Sequence, residues 1–383
     1  MKTTRFLPAL GILAFTLSAS AEFKFKTQKI DDIEIGYGIQ IADVNGDGKP
    51  DIVLADKKTI QWYEAPSWQK HIIAKDLTER DNVCVTARDT NDDGKCEIAV
   101  GAQWNPGNTT DENQSGAVFA LTAPPVVTRP WLAVKLENEP TVHRMHWIKS
   151  SGGKYSLVVK PLHGRGNKAG AGIGGKVWEY LRSSDGKWQR EIVSDFMHLT
   201  HNFHPVNWDK DSEEELLIAG KEGIWHFDKH KGKWHPRQIT VHAAGEIRDG
   251  RLPNGKRFIV TIEPHHGIAA TVYVEKAKGL WTPSHVLDNE LVAGHALQVA
   301  DLLSTGNDQI VVGWRGQGRK AKPGIKLFSP ANPDGTHWDE QQISGSEIAI
   351  EDLKVADLNG DGKIDIIAAG RQTKNLVIFW NQR

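Results

Sequence analysis

An aromatic residue followed five positions later by Ile, Leu or Val occurs seven times, and this repeat restricts the fold more than any other feature of the chain. The pairs are Phe25/Ile30, Trp68/Ile73, Trp131/Leu136, Trp188/Val193, Trp234/Ile239, Trp281/Val286 and Trp338/Ile343. Interleaved with them are seven copies of an alternating strand, a polar turn and an apolar strand, from IQIADVNGDGKPDIVLA in the first to LKVADLNGDGKIDIIAAG in the last. Period-two apolar spacing in short segments bounded by Gly, Asp and Asn marks strands, and four strands per repeat of roughly 40 to 60 residues marks a propeller. The expected fold is all-β, a seven-bladed β-propeller of four-stranded blades over residues 22–383. Each blade runs from an inner strand A through B and C to an outer strand D that carries the aromatic pair. The last copy ends at its strand C. FKFKTQKI, with Phe25 and Ile30, fits the missing D slot and is expected to close the ring.

Residues 1–21, MKTTRFLPALGILAFTLSASA, place Lys2 and Arg5 before an apolar stretch and end in small residues. This is the pattern of a signal peptide cut near Ala21, so the protein is expected to be exported, periplasmic or secreted. No later run approaches the roughly 20 apolar residues of a membrane span. With Lys+Arg 47 against Asp+Glu 48, the net charge of −1 gives no electrostatic footprint for nucleic acid. Cys84 and Cys96 fall at opposite ends of one expected hairpin and are expected to stay unbonded. The tryptophans of strands C and D are assigned to the seams between blades. Trp104 and Trp314 fall outside both series, in B–C loops, and are the candidates for stacking on a sugar ring.

Three A–B turns carry oxygen ligands at alternate positions. Blade 1 supplies Asp43, Asn45, Asp47, the Lys49 carbonyl and Asp51. Blade 2 supplies Asp89, Asn91, Asp93, the Lys95 carbonyl and Glu97, and blade 7 supplies Asp357, Asn359, Asp361, the Lys363 carbonyl and Asp365. Such a set on a tight glycine turn suits a hard cation that takes six to eight oxygens, so up to three structural Ca²⁺ ions are expected. The twelfth-position glutamate of an EF-hand is replaced by Leu54, Val100 and Ala368, and a strand follows where an EF-hand has a helix. Blade 4 keeps a degraded version, Asn207, Asp209, Asp211 and Glu215, without the glycine. These ions are expected to hold strands together and to take no part in chemistry.

IADVNGDGKPDIV and VADLNGDGKIDII resemble FG-GAP/VCBS repeats, the calcium-binding blade units of integrin α-subunit propellers and many exported bacterial proteins. The loops from Glu139 onward, including EPTVHRMHW, VVKPLHGRG, LTHNFHPVNWD, TIEPHHG and VAGHALQVADL, resemble more narrowly the propeller half of aldos-2-ulose dehydratase/isomerase-like proteins. That resemblance implies elimination of water from keto-sugars such as 1,5-anhydrofructose. The fungal enzyme continues into cupin domains tied to isomerisation, whereas this sequence stops after the ring closes, so dehydration alone is the activity the resemblance leads one to expect.

In a propeller the D–A and B–C loops share one face, opposite the A–B turns, and converge on the mouth of the central channel. Just before each strand A lie Tyr37, Asp81 with Asn82, His143, His201 with Asn202, Glu246, His295, and Glu351 with Asp352. Just after each strand B lie Trp104, Lys160 with His163 and Arg165, Lys221, Glu263 with His265 and His266, Trp314 with Arg315, and Arg371. Elimination beside a ketone needs a base near neutral pKa, a cation or donor for the enolate, and an acid for the leaving hydroxyl. One of His163, His201 and His295 is expected to act as base. Arg165, or a second metal such as Zn²⁺, Mn²⁺ or Mg²⁺ held by Asp81, His143 and His201, is expected to hold the enolate. Trp104, His265, His266, Trp314, Arg315, Glu351, Asp352 and Arg371 are the candidates for binding the sugar. A glycan- or protein-binding propeller without catalysis and a uronate polysaccharide lyase are the rival expectations. No serine-hydrolase GxSxG motif occurs.

Overall fold

The structure, a computed structural model, describes residues 24–316 and 322–383; the leader assigned to 1–21 lies outside the described residues. Among the described residues the strands form seven four-stranded antiparallel sheets, and the only helix there is a single 3-10 turn at Ser151–Gly153. Blade 1 is typical, with Gly38–Ala42, Asp51–Ala55, Thr59–Glu64 and Gln69–Lys75 paired in sequence order. Inner strands of neighbouring blades pack against one another all the way round, from Gly38–Ala42 in blade 1 to Ile350–Ala356 in blade 7 and back. The fold is a seven-bladed β-propeller.

The B strands explain why the repeat folds this way. DIVLA in Asp51–Ala55 and DIIAAG in Asp365–Gly370 are buried at every residue, because each blade is covered on both faces by its neighbours. Apolar side chains accordingly gather into seven clusters, one per seam. Trp62 and Ile73 of blade 1 meet Val100 and Trp131 of blade 2, and Phe203 and Phe227 of blade 4 meet Ile148 and Val193 of blade 3. Aromatic pairs bridge further seams, Trp208 with Trp281 at 5.6 Å and Phe258 with Trp338 at 5.5 Å between ring centroids.

Phe25–Asp32 pairs antiparallel with Asn375–Asn381 and completes blade 7 from the other end of the sequence. Asp31 then reaches into blade 1, accepting from the Tyr63 hydroxyl at 2.8 Å and from Lys70 at 2.8 Å. Cys84 and Cys96 are both free and buried; Cys84 pairs with Gly101 at one end of the hairpin, and Cys96 lies at the other. No helix among the described residues is long and apolar enough to cross a membrane.

Candidate functional site

The inner strands are not regular. Strand A of blade 3 (Val142–Lys149), of blade 4 (Thr200–Val206), of blade 6 (Gly294–Ala300) and of blade 7 (Ile350–Ala356) each carries a register shift near its start. The residues skipped by pairing are His143, His201 with Asn202, His295 and Glu351. Inner strands of blades 1, 2 and 5 pair without a shift. A bulge re-aims the side chain of the extra residue. Here four bulges bring their side chains together at one end of the channel. The sequence placed these residues in loops just before strand A. They lie inside the strands, and His143, His201, His295 and Glu351 are each buried.

His201 is the hub. Its ring lies 4.8 Å from that of His143, 4.3 Å from His266 and 5.1 Å from His295, centroid to centroid. The hydrogen-bond partners fix the tautomers. His143 Nδ1 donates to the His201 carbonyl at 2.8 Å, and His295 Nδ1 donates to the Glu351 carbonyl. His201 Nδ1 faces Glu246 Oε1 at 2.9 Å, an ion-pair distance without aligned hydrogen-bond geometry. With Nδ1 protonated, His201 Nε2 is bare and accepts the Nε2 proton of His266 across 2.6 Å. His266 Nδ1 in turn faces Arg315 Nη1 at 3.4 Å, and Arg315 Nη2 donates to His295 Nε2 at 2.6 Å. Glu351 anchors this arginine at 2.7 Å and Arg371 at 2.9 Å.

Every imidazole in the group is neutral. Burial, reinforced by the positive charge of Arg144, holds His143, His201 and His295 well below the usual range. Burial also brings His265 down to about 4. The side chains of His201, His266 and His295 can each direct a nitrogen to one point, all within 4.8 Å of one another. Neutral imidazoles are the donor set of a transition-metal site, and two of the three already have an outer-shell partner, Glu246 behind His201 and the Glu351 carbonyl behind His295, whereas His266 has Arg315 behind it.

The expected trio of Asp81, His143 and His201 is not drawn together in this way. Asp81 accepts from the Tyr37 hydroxyl at 3.2 Å, and burial pushes that phenol up to about 12. Arg165 also points elsewhere. It bonds Glu112 at 2.9 Å, Glu139 at 3.2 Å and the Thr110 carbonyl at 2.6 Å, strapping the long loops of blades 2 and 3 together. His163 lies half-buried beside those loops, its backbone amide bonded to Thr141 Oγ1. Asp352 is saturated by Ile39 N–H, Leu353 N–H and Lys354, and lines the channel below the ring. Trp104 packs on His143 at 5.1 Å and keeps a partly exposed face. Trp314 ends strand Gln309–Trp314, is buried in the seam between blades 5 and 6, and donates to the Lys322 carbonyl at 2.8 Å. It has no face to offer a sugar. Sequence reasoning missed Arg144 and Arg248, whose strands it read only for apolar spacing. Alternation along strand A does carry the signal, since the face turned from the blade core is polar.

On the opposite face the A–B turns hold themselves with side-chain oxygens. Asp43 accepts from Gly46 and Gly48 N–H at 2.7 Å each, and Asp357 does the same with Gly360 and Gly362 at 2.8 Å. Gly48 adopts φ +81 and Gly362 φ +80, conformations that a side chain would strain. Asp51 and Asp365 are buried beneath the turns, each accepting two backbone N–H groups, and burial pushes both up to about 6. The degraded turn of blade 4 brings ligand oxygens of Asp209, Asp211 and Glu215 within 4.8 Å of one another. A cleft of about 900 Å³ also opens on this face between blades 2 and 3, past Glu97, Trp147 and Trp188, but holds no group of imidazoles.

Histidines away from the ring add to the acid sensitivity of the fold. His226 is brought down to about 4 by burial, and His146 and His204 are also lowered, burial being the main cause in each. Their folded-state values lie below the unfolded value of 6.5, so the stability they contribute is present above it and lost as pH falls toward 4. The melting temperature is expected to drop between about 6.5 and 4, because the lowered histidines outnumber the raised carboxylates Asp51 and Asp365, which act in the opposite sense over the same range. His226→Phe, which removes an imidazole whose Nε2 is buried without a partner, should make that limb shallower in scanning calorimetry.

No protein-family model matches the chain, and no curated protein does. Among solved structures it is similar to a chain in the crystal structure of the mitotic checkpoint complex, with TM-score 0.59 and 11% identity over 99% of this chain and 98% of that one. It is also similar to a chain in the crystal structure of BBS1N in complex with ARL6DN, soaked with mercury, with TM-score 0.57 and 13% identity over 94% and 97%. At such identities the likeness carries the fold alone.

Proposed function

We propose that the mouth of the channel is the active site of an exported carbon–oxygen lyase that eliminates water, or a sugar leaving group, beside the ketone of a keto-sugar. One observation carries this reading. Four bulged inner strands deliver His143, His201, His295 and Glu351 to the axis, where His266, Arg315 and Arg371 join them. A fold that needed only stability would not bury so many imidazoles against one another. The loop resemblance to the propeller half of aldos-2-ulose dehydratase/isomerase-like proteins supports the same chemistry, and the turn resemblance supports FG-GAP/VCBS blades.

His201, His266 and His295 would hold a divalent transition metal, taking the place of the His266 proton and the Arg315 contact. Such an ion would supply Lewis acidity toward the ketone oxygen. The chain's own groups account for the proton movements. His201 and His295 have both ring nitrogens engaged, so the base expected among His163, His201 and His295 is reassigned to His265, half-buried beside His266 at 4.4 Å. Burial brings His265 down to about 4, and it takes the proton α to the ketone because Arg315, with the Lewis acid, makes that C–H more acidic. The C–H electrons form the enolate, and Arg315, whose buried Nε has no acceptor, donates to its oxygen. As the β carbon–oxygen bond breaks, the imidazolium returns the proton to the leaving hydroxyl, which departs as water. Trp104 lines the mouth beside His143. The buried position of Trp314 weighs against a binding-only propeller that uses it as a platform.

The test is ultraviolet absorbance with 1,5-anhydrofructose, 2- and 3-keto-glucosides and uronate polymers. An enone signal from a keto-sugar is the expected result. Signal from uronate polymer alone would make the protein a polysaccharide lyase, and none from any substrate would leave a binding propeller.

The three intact turns are proposed to hold Ca²⁺, since each carboxylate oxygen that accepts one N–H keeps a second lone pair for a cation. At calcium a hundredfold above its Kd, each occupied turn adds about 2.7 kcal/mol. EDTA should therefore lower the melting temperature by roughly 5–10 °C. Calcium should restore it, and Asp47→Ala with Asp361→Ala should shrink the effect.

A further inference from the structure

Below the histidine ring the channel narrows to a cavity of about 20 Å³, room for about one water-sized occupant. Its walls include Arg144, Arg248, Lys354 and Asp352, from blades 3, 5 and 7. Three of these side chains are cations and one is a carboxylate. Lys354 is matched to Asp352, 3.1 Å away. Arg248 is 7% exposed and has Glu246 at 3.8 Å, a carboxylate that Asn202 at 2.6 Å and His201 at 2.9 Å already share. Arg144 has no carboxylate within ion-pair distance among the described residues. Its Nη1 touches only its neighbour His143, at the carbonyl (3.0 Å) and at Nε2 (3.4 Å). The other arginines of the axis, Arg315 and Arg371, both have Glu351.

The cavity therefore carries one positive charge more than its carboxylates balance. Arg144 is partly exposed, but the part of its guanidinium that faces the cavity has no counter-ion, and a space this small cannot hold the several waters that would hydrate it there. We propose that this cavity binds one small monovalent anion of halide size, held by the guanidinium groups of Arg144 and Arg248. Chloride is the natural occupant of an exported protein's surroundings. Sulfate and phosphate are too large, and they carry more charge than the cavity lacks. The anion would also act on the ring above it, because the Arg144 charge is felt by His143, His201, His266 and His295 and opposes a cation among them.

Crystals of the full chain transferred to sodium bromide, with diffraction recorded at the bromine edge, provide the test. The expected result is one strong anomalous peak in contact with Arg144 and Arg248, regained as chloride density on back-transfer. In solution, the melting temperature should rise along a saturating curve when gluconate is exchanged for chloride at fixed ionic strength. Arg144→Gln should lose that curve while keeping the non-saturating response to sulfate that any protein shows. No peak in the channel would overturn the assignment, as would a chloride response unchanged in Arg144→Gln. If that variant does not fold, the bromide map of the unaltered protein decides alone. Neither result depends on whether the ring above is catalytic.

Discussion

Replacing His201 with asparagine is expected to cut enone formation by about 10³-fold or more while leaving the propeller folded. His201 is where the ring is joined: it takes the His266 proton, faces Glu246, and bonds His143 through its own carbonyl. Asparagine keeps a polar side chain of smaller reach, so the backbone bond to His143 survives and the imidazole contacts do not. His201 belongs to none of the apolar clusters that fill the seams, so the melting temperature should move by only a few degrees. A metal bound by His201, His266 and His295 should be lost as well, and titration of the purified variant with Zn²⁺ by calorimetry reports this independently of turnover. His295→Asn should resemble it. Arg165→Ala should not: its guanidinium straps loops together, so the expected change is a weaker affinity for substrate with the rate per bound molecule largely kept. A His201→Asn enzyme with full activity would place the chemistry outside the ring.

The contrast between His201 and Arg165 shows where the sequence was legible. Repeat number, strand order within a blade and the slot for FKFKTQKI depend on period-two patterning that recurs seven times, so each copy corrects errors in the others. Part of the axial set, His143, His201, His266, His295, Arg315, Glu351 and Arg371, was legible for the same reason, since position in the repeat assigns a side chain to the channel mouth. Which of them meet was not. A bulge of one residue decides whether His143 or Arg144 turns toward the ring, and nothing in VHRMHW announces it. Arg165 and Trp314 were misjudged from proximity in sequence. The first lies in an insertion whose partners, Glu112 and Glu139, come from elsewhere in the chain, and the second remains part of its strand and so of a seam. The turns present a different difficulty: DxNxDG fixes a backbone shape that Asp43 and Gly48 adopt with or without a cation.

A chain that begins at Ile33, lacking the strand Phe25–Asp32, should lose on the order of 5 kcal/mol of stability and its single cooperative melting transition. The strand supplies the outer ladder of blade 7, with Phe25 opposite Asn381 and Asp32 opposite Asn375. It also contributes to both seams that flank the blade, through Phe25 toward blade 6 and Ile30 toward blade 1. Its Asp31 is the acceptor for Tyr63 and Lys70. Removing it leaves Asn375–Asn381 as an unpaired edge with a buried apolar face, Leu376 to Phe379, which favours association between molecules. Scanning calorimetry should show a broad transition at least about 10 °C lower, and light scattering should show aggregation well before it. A peptide of residues 24–32 added in trans should narrow and raise the transition, because the slot it fills is formed by the rest of blade 7 and by blade 1. Phe25→Ala, which keeps the ladder and loses the packing of the ring in the seam, should cost about 1–2 kcal/mol. Were the shortened chain to melt within a degree or two of the full one, the seven inner strands would be holding the ring closed without this strand.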